Sequence, residues 1–383
     1  MKVLSIGTDR KLFEKDSAVA KRNISYGEKM EELHIIVFSL KSSGFTQIDL
    51  SPNVKVYPTN SFSKFGYIFD AIRLGKKIIK GSEFIRGKDV LTAQDPFECG
   101  FVAWRISRVF RLPFQLQIHT DFLSPYFKTS LLQKIRVILA KFLLPKASGV
   151  RVVSKRISDS IKKAGIKTKV TPDILPIRID TDITEDDSVG LTEESDLRKI
   201  FPNFKFIILM ASRLTKEKRI GDAITAFAKV LEKYPFVSLC IVGDGPLKNS
   251  LNKKVSDLGI SKNVAFLGWR NDVSLLMKSA NMFLSTSEYE GYGMSIVEAG
   301  MSKCPVLSTN VGISEEILEH NKNSYICSVG DTMCLSEGIV KMIENNSFRL
   351  EMSEKLYSDL KDLAVSKEEY VDRYVNSLQQ ISK

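Results

Sequence analysis

Short apolar runs alternate with helical stretches along nearly the whole chain, and this alternation leaves few folds open. Runs at 2–7, 34–39, 54–57, 89–93, 114–119 and 149–153 read as strands, separated by helical patterns over 15–32, 61–80, 97–110, 130–146 and 155–164. Segment 178–200 is dense in Asp, Glu, Ser and Thr and reads as an interdomain linker. Alternation then restarts, with strands at 205–211, 236–242, 263–266, 281–285 and 305–308 and helices at 219–232, 246–257, 271–278 and 293–302. A closing helix over 367–383 carries Tyr370, Val371, Tyr374 and Leu378 at helical spacing. The expected class is α/β, with two doubly wound domains facing a central cleft. Residues 1–180 form the first domain, with helix 367–383 packing back on it, and 181–366 form the second. Ligands of such sheets sit beyond the carboxyl ends of the strands, so the loops there are where chemistry is expected.

At 383 residues the chain is long enough for two cores. Its five cysteines (Cys99, Cys240, Cys304, Cys327, Cys334) are scattered and never spaced C-x-x-C, so neither a disulfide nor a zinc site is expected. The opening Met1-Lys2-Val3-Leu4-Ser5-Ile6-Gly7 reads as a strand rather than a signal peptide, and no apolar run approaches a membrane span. A cytoplasmic protein is the expectation. Residues 1–180 hold 32 Lys+Arg against 16 Asp+Glu, and the remainder 24 against 29, within a net charge of +11. A first half so basic is suited to an anionic membrane surface or a polyanion.

Three segments carry chemistry. In Ser285-Thr-Ser-Glu-Tyr-Glu290-Gly291-Tyr292-Gly293-Met-Ser-Ile-Val-Glu298, a strand ends, a loop carries Glu290, and two glycines open a helix. Such a helix start turns free N–H groups toward an anion. Glu298 falls among apolar neighbours, where a carboxylate is costly to bury unless donors such as ribose hydroxyls hold it. In Met210-Ala-Ser-Arg213-Leu-Thr-Lys-Glu-Lys218, Arg213 and Lys218 follow a strand and can clamp a diphosphate. In Val242-Gly243-Asp244-Gly245-Pro246, a strand ends in a turn with Pro at the first helical position.

In this order and spacing the segments resemble the C-terminal domain of family 4 glycosyltransferases, over roughly residues 203–312. The resemblance implies the GT-B architecture of two Rossmann-like domains and a retaining transfer from a nucleotide sugar. It implies that Arg213 and Lys218 bind the donor pyrophosphate and that Glu298 takes the ribose hydroxyls. Glu290 and the amides of Gly291, Tyr292 and Gly293 would face the sugar and phosphate. Gly243 would contribute to the donor site, with Trp269 and Arg270 near the base. The expected donor is a UDP- or GDP-linked hexose, with no cofactor and no metal. The expected acceptor is a glycan or lipid-linked hydroxyl in cell-surface polysaccharide or glycolipid synthesis.

The N-terminal half resembles the family more weakly. Gln115-Leu-Gln-Ile-His119-Thr120-Asp121 matches the strand ending in a His beside the transferred sugar, and Asp89-Val-Leu-Thr-Ala-Gln-Asp95-Pro96 matches the strand before it. Where many members have a Gly-Gly loop after strand one, this chain has Asp16-Ser17-Ala18-Val19-Ala20-Lys21-Arg22. His119, with Arg213, Lys218 and Glu290, is the expected catalytic set, and Ser17, Ala18, Asp95, His119 and Asp121 the acceptor side. Asp180-Thr181-Asp182 is formally a D-x-D metal signature but lies in the acidic linker, and is read as linker.

Two segments also look amphipathic and basic. Phe62, Phe65, Phe69 and Ile72 share 61–80 with Arg73, Lys76, Lys77 and Lys80, while Leu131, Ile135, Ile138 and Phe142 share 130–146 with Lys134, Arg136 and Lys141. Peripheral attachment to an anionic membrane is the expectation they raise. The competing readings are a sugar-nucleotide epimerase of the same architecture and a non-enzymatic polyanion or nucleic-acid binder. No recognised nucleic-acid module is present, and no G-x-G-x-x-G follows the first strand.

Overall fold

The computed structural model describes residues 1–128, 130–179 and 191–382, the side chain of Glu315 excepted. Contacts divide the chain into two compact units, Met1–Ile177 with Ser366–Lys383, and Arg178–Val365. The D-x-D at Asp180-Thr181-Asp182 lies outside the described residues.

The first unit is built on eight strands: β1 (Lys2–Gly7), β2 (Glu32–Val37), β3 (Ile48–Ser51), β4 (Val54–Pro58), β5 (Val90–Ala93), β6 (Phe114–Ile118), β7 (Gly149–Val152) and β8 (Asp173–Ile174). Their order is β3-β4-β2-β1-β5-β6-β7-β8, parallel throughout except for β3 on β4. Ile35, Ile36 and Val37 are all fully buried, as consecutive residues must be in a strand covered on both faces. The C-terminal helix Lys367–Ser382 closes this unit. Its Leu378 is fully buried, Gln115 donates to the Ser377 carbonyl at 3.1 Å, and the Tyr374 ring packs tilted against Tyr26 with centroids 4.2 Å apart.

The second unit holds β9 (Phe206–Ala211), β10 (Val237–Val242), β11 (Val264–Gly268), β12 (Met282–Ser285), β13 (Val306–Thr309) and β14 (Tyr325–Cys327). The order is β11-β10-β9-β12-β13-β14, every pair parallel. Its core joins Ile208 and Met210 of β9 to Phe227, Leu335, Ile339 and Met342 from the helices Ile220–Leu231 and Thr332–Glu344. In both sheets the chain direction of winding reverses beside the first strand, between β1 and β5 and between β9 and β12.

Several expectations need correction. Cys327 and Cys334 are bonded as a disulfide with Cα atoms 5.8 Å apart, although their sequence spacing gave no sign of pairing. Residues 61–80 are not one helix. Helix begins at Tyr67, and Phe62 and Phe65 precede it. Pro246 sits in a turn, two residues before the helix Lys248–Asp257. The polar segment ceases to be a linker before residue 200, because Leu197 is fully buried and its N–H donates to Ser279 Oγ at 3.0 Å. The strands β3, β8 and β14 and the helices Thr332–Glu344 and Asn346–Leu363 add to the elements read from sequence. Among the described residues no helix is long and apolar enough to cross a membrane.

Candidate functional site

Loops leaving the carboxyl ends of β9 and β12 diverge at the point where the strand order reverses, which opens a crevice in an α/β sheet. The two loops are stitched together. Glu288 N–H donates to the Glu217 carbonyl at 2.8 Å, and Thr286 Oγ1 donates to the carbonyls of Lys218 and Arg219 at 2.9 and 3.1 Å. Arg219 takes a left-handed backbone (φ 46°) and reaches both Asp222 at 2.7 Å and Glu288 at 3.5 Å. This stitching carries Lys218 to Glu290. The ammonium Nζ stands 2.5 Å from Glu290 Oε1, and Ser287 Oγ donates to the same oxygen at 2.7 Å. Both side chains are mostly shielded from solvent.

Arg213 differs. Its side chain is 70% exposed and held only by Glu217 at 3.3 Å, an i,i+4 surface pair of the kind worth about 0–1 kcal/mol. It is therefore free to close on an anion. Lys218 is held by Glu290, and Arg213 is open to solvent.

The Gly243–Pro246 turn underlies this loop. Gly243 has φ 130°, and a Cβ there would lie 1.9 Å from the Ser212 carbonyl oxygen, so no other residue fits. Leu214 N–H then donates to the Asp244 carbonyl at 2.9 Å. Gly243 supports the Arg213 loop from below. The Asp244 carboxyl is held below its usual range by the Gly245 N–H and by Lys248.

Beyond Glu290, Gly293 (φ 96°) precedes the helix Met294–Met301, whose start no side chain caps. Uncapped N–H groups there are available to an anion. Tyr292 is buried, and its carbonyl accepts from Ile313 N–H at 2.7 Å, which pins the Gly291–Gly293 loop to the end of β13. Glu298 is not buried with its apolar neighbours. It occupies the exposed face of that helix while Ile296, Val297, Ala299 and Met301 face inward. It is accessible yet closely surrounded by protein, and this desolvation holds its carboxyl above the usual glutamate range.

Trp269 and Arg270 leave β11 at the same sheet edge. Trp269 is 69% exposed and its indole N–H donates to Asn271 Oδ1 at 3.3 Å. Arg270 is already engaged, paired with Asp272 at 2.5 Å and donating to the Glu194 carbonyl at 2.7 Å. All the donor-side residues named from sequence thus lie in the second unit, on loops at one sheet edge or, for Glu298, on the helix that follows one of them.

In the first unit a cavity of about 460 Å³ opens at the carboxyl ends of β1, β5 and β6. His119 and Asp95 line it; Ser17, Ala18 and Asp121 are not among its lining residues. His119 contacts Gln117 Oε1 at 3.3 Å, and its recess in the protein, with Arg151 and Arg22 nearby, holds its pKa well below the usual histidine range. It is a neutral hydrogen-bonding group at pH 7. Asp95 accepts from the N–H groups of Phe97 and Cys99 at 2.7 and 3.2 Å, capping the helix Glu98–Phe110, and burial raises its pKa. Asp121 accepts from Leu123 N–H and Ser160 Oγ, and Ser17 caps the helix Ala18–Glu28 through Ala20 N–H. These two hold loops.

Several residues at the two sites were not singled out from sequence. Glu217, Thr286, Ser287 and Glu288 supply the stitching, and nothing in their local pattern announces it. Arg151 was findable: it interrupts the apolar run Val150-Arg151-Val152-Val153, and a charge inside a buried strand requires a reason. Among the described residues no group of three or more His, Cys, Asp or Glu side chains could hold a metal ion.

Residues 193–359 match the family described as glycosyl transferases group 1. The N-acetyl-alpha-D-glucosaminyl L-malate synthase of Bacillus anthracis is 31% identical over 149 residues, 39% of each chain. The alpha-monoglucosyldiacylglycerol synthase of Acholeplasma laidlawii is 26% identical over 252 residues, 61% of this chain and 62% of that one. The chain therefore spans 39% and 62% of the length of these curated relatives. In fold, the Anabaena protein HepE in complex with UDP superposes with a TM-score of 0.77 at 20% identity, covering 99% of this chain and 100% of its own. The segment matched to the glycosyl transferases group 1 family thus contains the Arg213, Lys218, Gly243–Pro246 and Glu290–Glu298 motifs, and the chain has the fold of GT-B glycosyltransferases, two parallel-sheet units.

Proposed function

We propose that the protein transfers a hexose-type sugar from a UDP- or GDP-linked donor to a hydroxyl on a glycan or lipid-linked acceptor, with retention of configuration and without a metal. One observation carries the reading: Lys218, Glu290 and an uncapped helix start converge at the sheet's reversal point, with a solvent-exposed Arg213 beside them. Glycosyl transfer needs charge stabilisation on a departing diphosphate. Lys218 and Arg213 supply cations, and the N–H groups after Glu290 supply oriented dipoles, with no reorganisation at the moment of bond breaking. Donor phosphate entering there draws the ammonium partly away from Glu290, leaving that carboxylate to orient a sugar hydroxyl. Glu298, with no hydrogen-bond partner among the described residues, has both oxygens open to ribose hydroxyls. Neutral His119 suits hydrogen bonding to a sugar hydroxyl better than carrying charge.

The acceptor is proposed to be presented at a membrane. Phe62, Phe65 and Phe69 are 92, 90 and 76% exposed, and Leu131 and Ile138 are 75 and 68% exposed. Arg73, Lys76 and Lys77 share the helix of Phe69, and Lys134 that of Leu131 and Ile138, and lysine or arginine near an anionic leaflet contributes about 1 kcal/mol each. The relatives' names include both a diacylglycerol product and a small-molecule one, which supports a hydroxyl acceptor of either kind. Thermal-shift measurement against UDP-, GDP-, ADP- and dTDP-sugars tests the donor reading, because a bound ligand stabilises by mass action. Stabilisation by none of the four would overturn it.

A further inference from the structure

Arg151 is a buried charge outside the donor site. It lies in the middle of β7, 5% exposed, between the apolar Val150 and Val152. Its Nη2 donates to Gln117 Oε1 at 2.6 Å, and its guanidinium lies 4.9 Å from the centre of the Tyr374 ring. Its Nε and Nη1 are buried with no hydrogen-bond partner. Asp173 stands opposite in the register of β8, yet no ion pair forms between them. A buried cation left in this state is costly, and a fold retains it where something else completes it.

The surroundings say what completes it. Arg151 lines the first unit's cavity together with Arg22, His119, Gln94, Asn23 and Tyr374. Arg22 is exposed there with no partner among the described residues. Of the two carboxylates in the wall, Asp95 accepts from the amides of Phe97 and Cys99 and Asp9 from Lys11 N–H through one oxygen, and neither forms an ion pair with Arg151 or Arg22. The cavity thus presents two guanidiniums, one of them with two nitrogens unpaired, and neither is paired with a carboxylate among the described residues.

We propose that this cavity binds an oxyanion, a phosphate or carboxylate carried by the acceptor, with the Arg151 guanidinium as its principal ligand and Arg22 as its second. This rests on the transferase reading in one respect only, that the anion belongs to the acceptor. The unpaired Nε and Nη1 donate on different sides of the planar group, and the second N–H of Nη2 shares a side with one of them, so one such pair can meet two oxygens of a single anion. His119, uncharged beside them, leaves the positive charge to the arginines and hydrogen-bonds a neighbouring hydroxyl.

The test is binding of inorganic phosphate, succinate, glycerol 3-phosphate and glycerol to the full chain, against chloride at equal ionic strength. It is read by thermal shift and calorimetry in wild type, Arg151→Gln, Arg151→Lys and the double variant Arg213→Ala/Lys218→Ala. The first three compounds are expected still to bind the double variant, which lacks the donor clamp, and glycerol to bind neither it nor wild type. Arg151→Gln is expected to weaken phosphate binding at least about tenfold, the loss of charged hydrogen bonds, and Arg151→Lys to fall between. Glycerol 3-phosphate binding more tightly than phosphate assigns the anion to an acceptor. Equal binding of glycerol and glycerol 3-phosphate, undiminished phosphate binding in Arg151→Gln, or loss of it only in the double variant would each overturn the proposal. UDP binding, followed in the same samples, reports separately on the transferase reading, so the two fail independently.

Discussion

Lys218 and Glu290 are 72 residues apart in sequence and 2.5 Å apart in space, a shielded ion pair at the point where the second sheet reverses its winding. The pair holds the site's cation at the place where a donor phosphate is proposed to arrive. It also couples the two loops, so removing either partner leaves the other poorly solvated.

Lys218→Ala and Arg213→Ala are therefore expected to behave differently. Each removes a charged hydrogen bond of about 1.5–3 kcal/mol to the donor, a loss of roughly 10- to 100-fold in UDP affinity. Only Lys218→Ala should also lower thermal stability, because it leaves Glu290 uncompensated, whereas Arg213 is mostly exposed. Calorimetry with UDP and a melting curve for each variant check both halves. Wild-type affinity in either variant removes the clamp.

Donor affinity should fall with acidification in a way that Glu298 sets. Its folded-state pKa is raised by desolvation, so the carboxylate that accepts from ribose is lost at a higher pH than an ordinary glutamate would lose it. By the same sign, this group favours folding below that pKa and the contribution fades as pH rises through it. UDP dissociation constants measured from pH 5 to 8 should rise toward the acid end in wild type and stay flat in Glu298→Gln. A flat wild-type profile speaks against this role.

Transfer is expected to proceed in EDTA, with Arg213, Lys218 and the helix start neutralising the leaving diphosphate. Product formation with and without chelator is the measurement. Loss of activity restored by manganese would contradict the mechanism.

Gly243→Ala should destabilise the second unit by about 2–4 kcal/mol, combining an unfavourable backbone region with a steric clash. A Cβ would stand 1.9 Å from the Ser212 carbonyl oxygen, and the loop carrying Arg213 must move to admit it. Urea denaturation gives the stability change, and UDP titration shows whether the Arg213 loop moved with it.

Replacing Phe62, Phe65 and Phe69 together with serine should abolish co-sedimentation with anionic liposomes while leaving UDP binding intact. Their exposure means the folded chain loses little from the change, since surface substitutions typically fall within about 0.5 kcal/mol. Wild-type binding that ignores the anionic lipid content would remove the membrane proposal.

Local order is where the sequence was most legible. The apolar runs at 2–7, 205–211 and 236–242 mark β1, β9 and β10 to within one residue, because a strand buried on both faces must be apolar throughout. The donor motifs were legible for a related reason, since the glycines at 243 and 293 adopt positive φ that few other residues tolerate. Short edge strands escaped: Ile48–Ser51 and Asp173–Ile174 are too brief and too exposed to carry a periodic signal. The Cys327–Cys334 bond escaped too, since it depends on the end of β14 meeting the start of the next helix. What only the tertiary structure decided is partnership. Sequence placed a charge in β7 and a glutamate after β12. Packing determined that Arg151 would be buried with two donors unpaired and that Glu290 would meet Lys218, because burial and proximity are set by elements far apart in the chain.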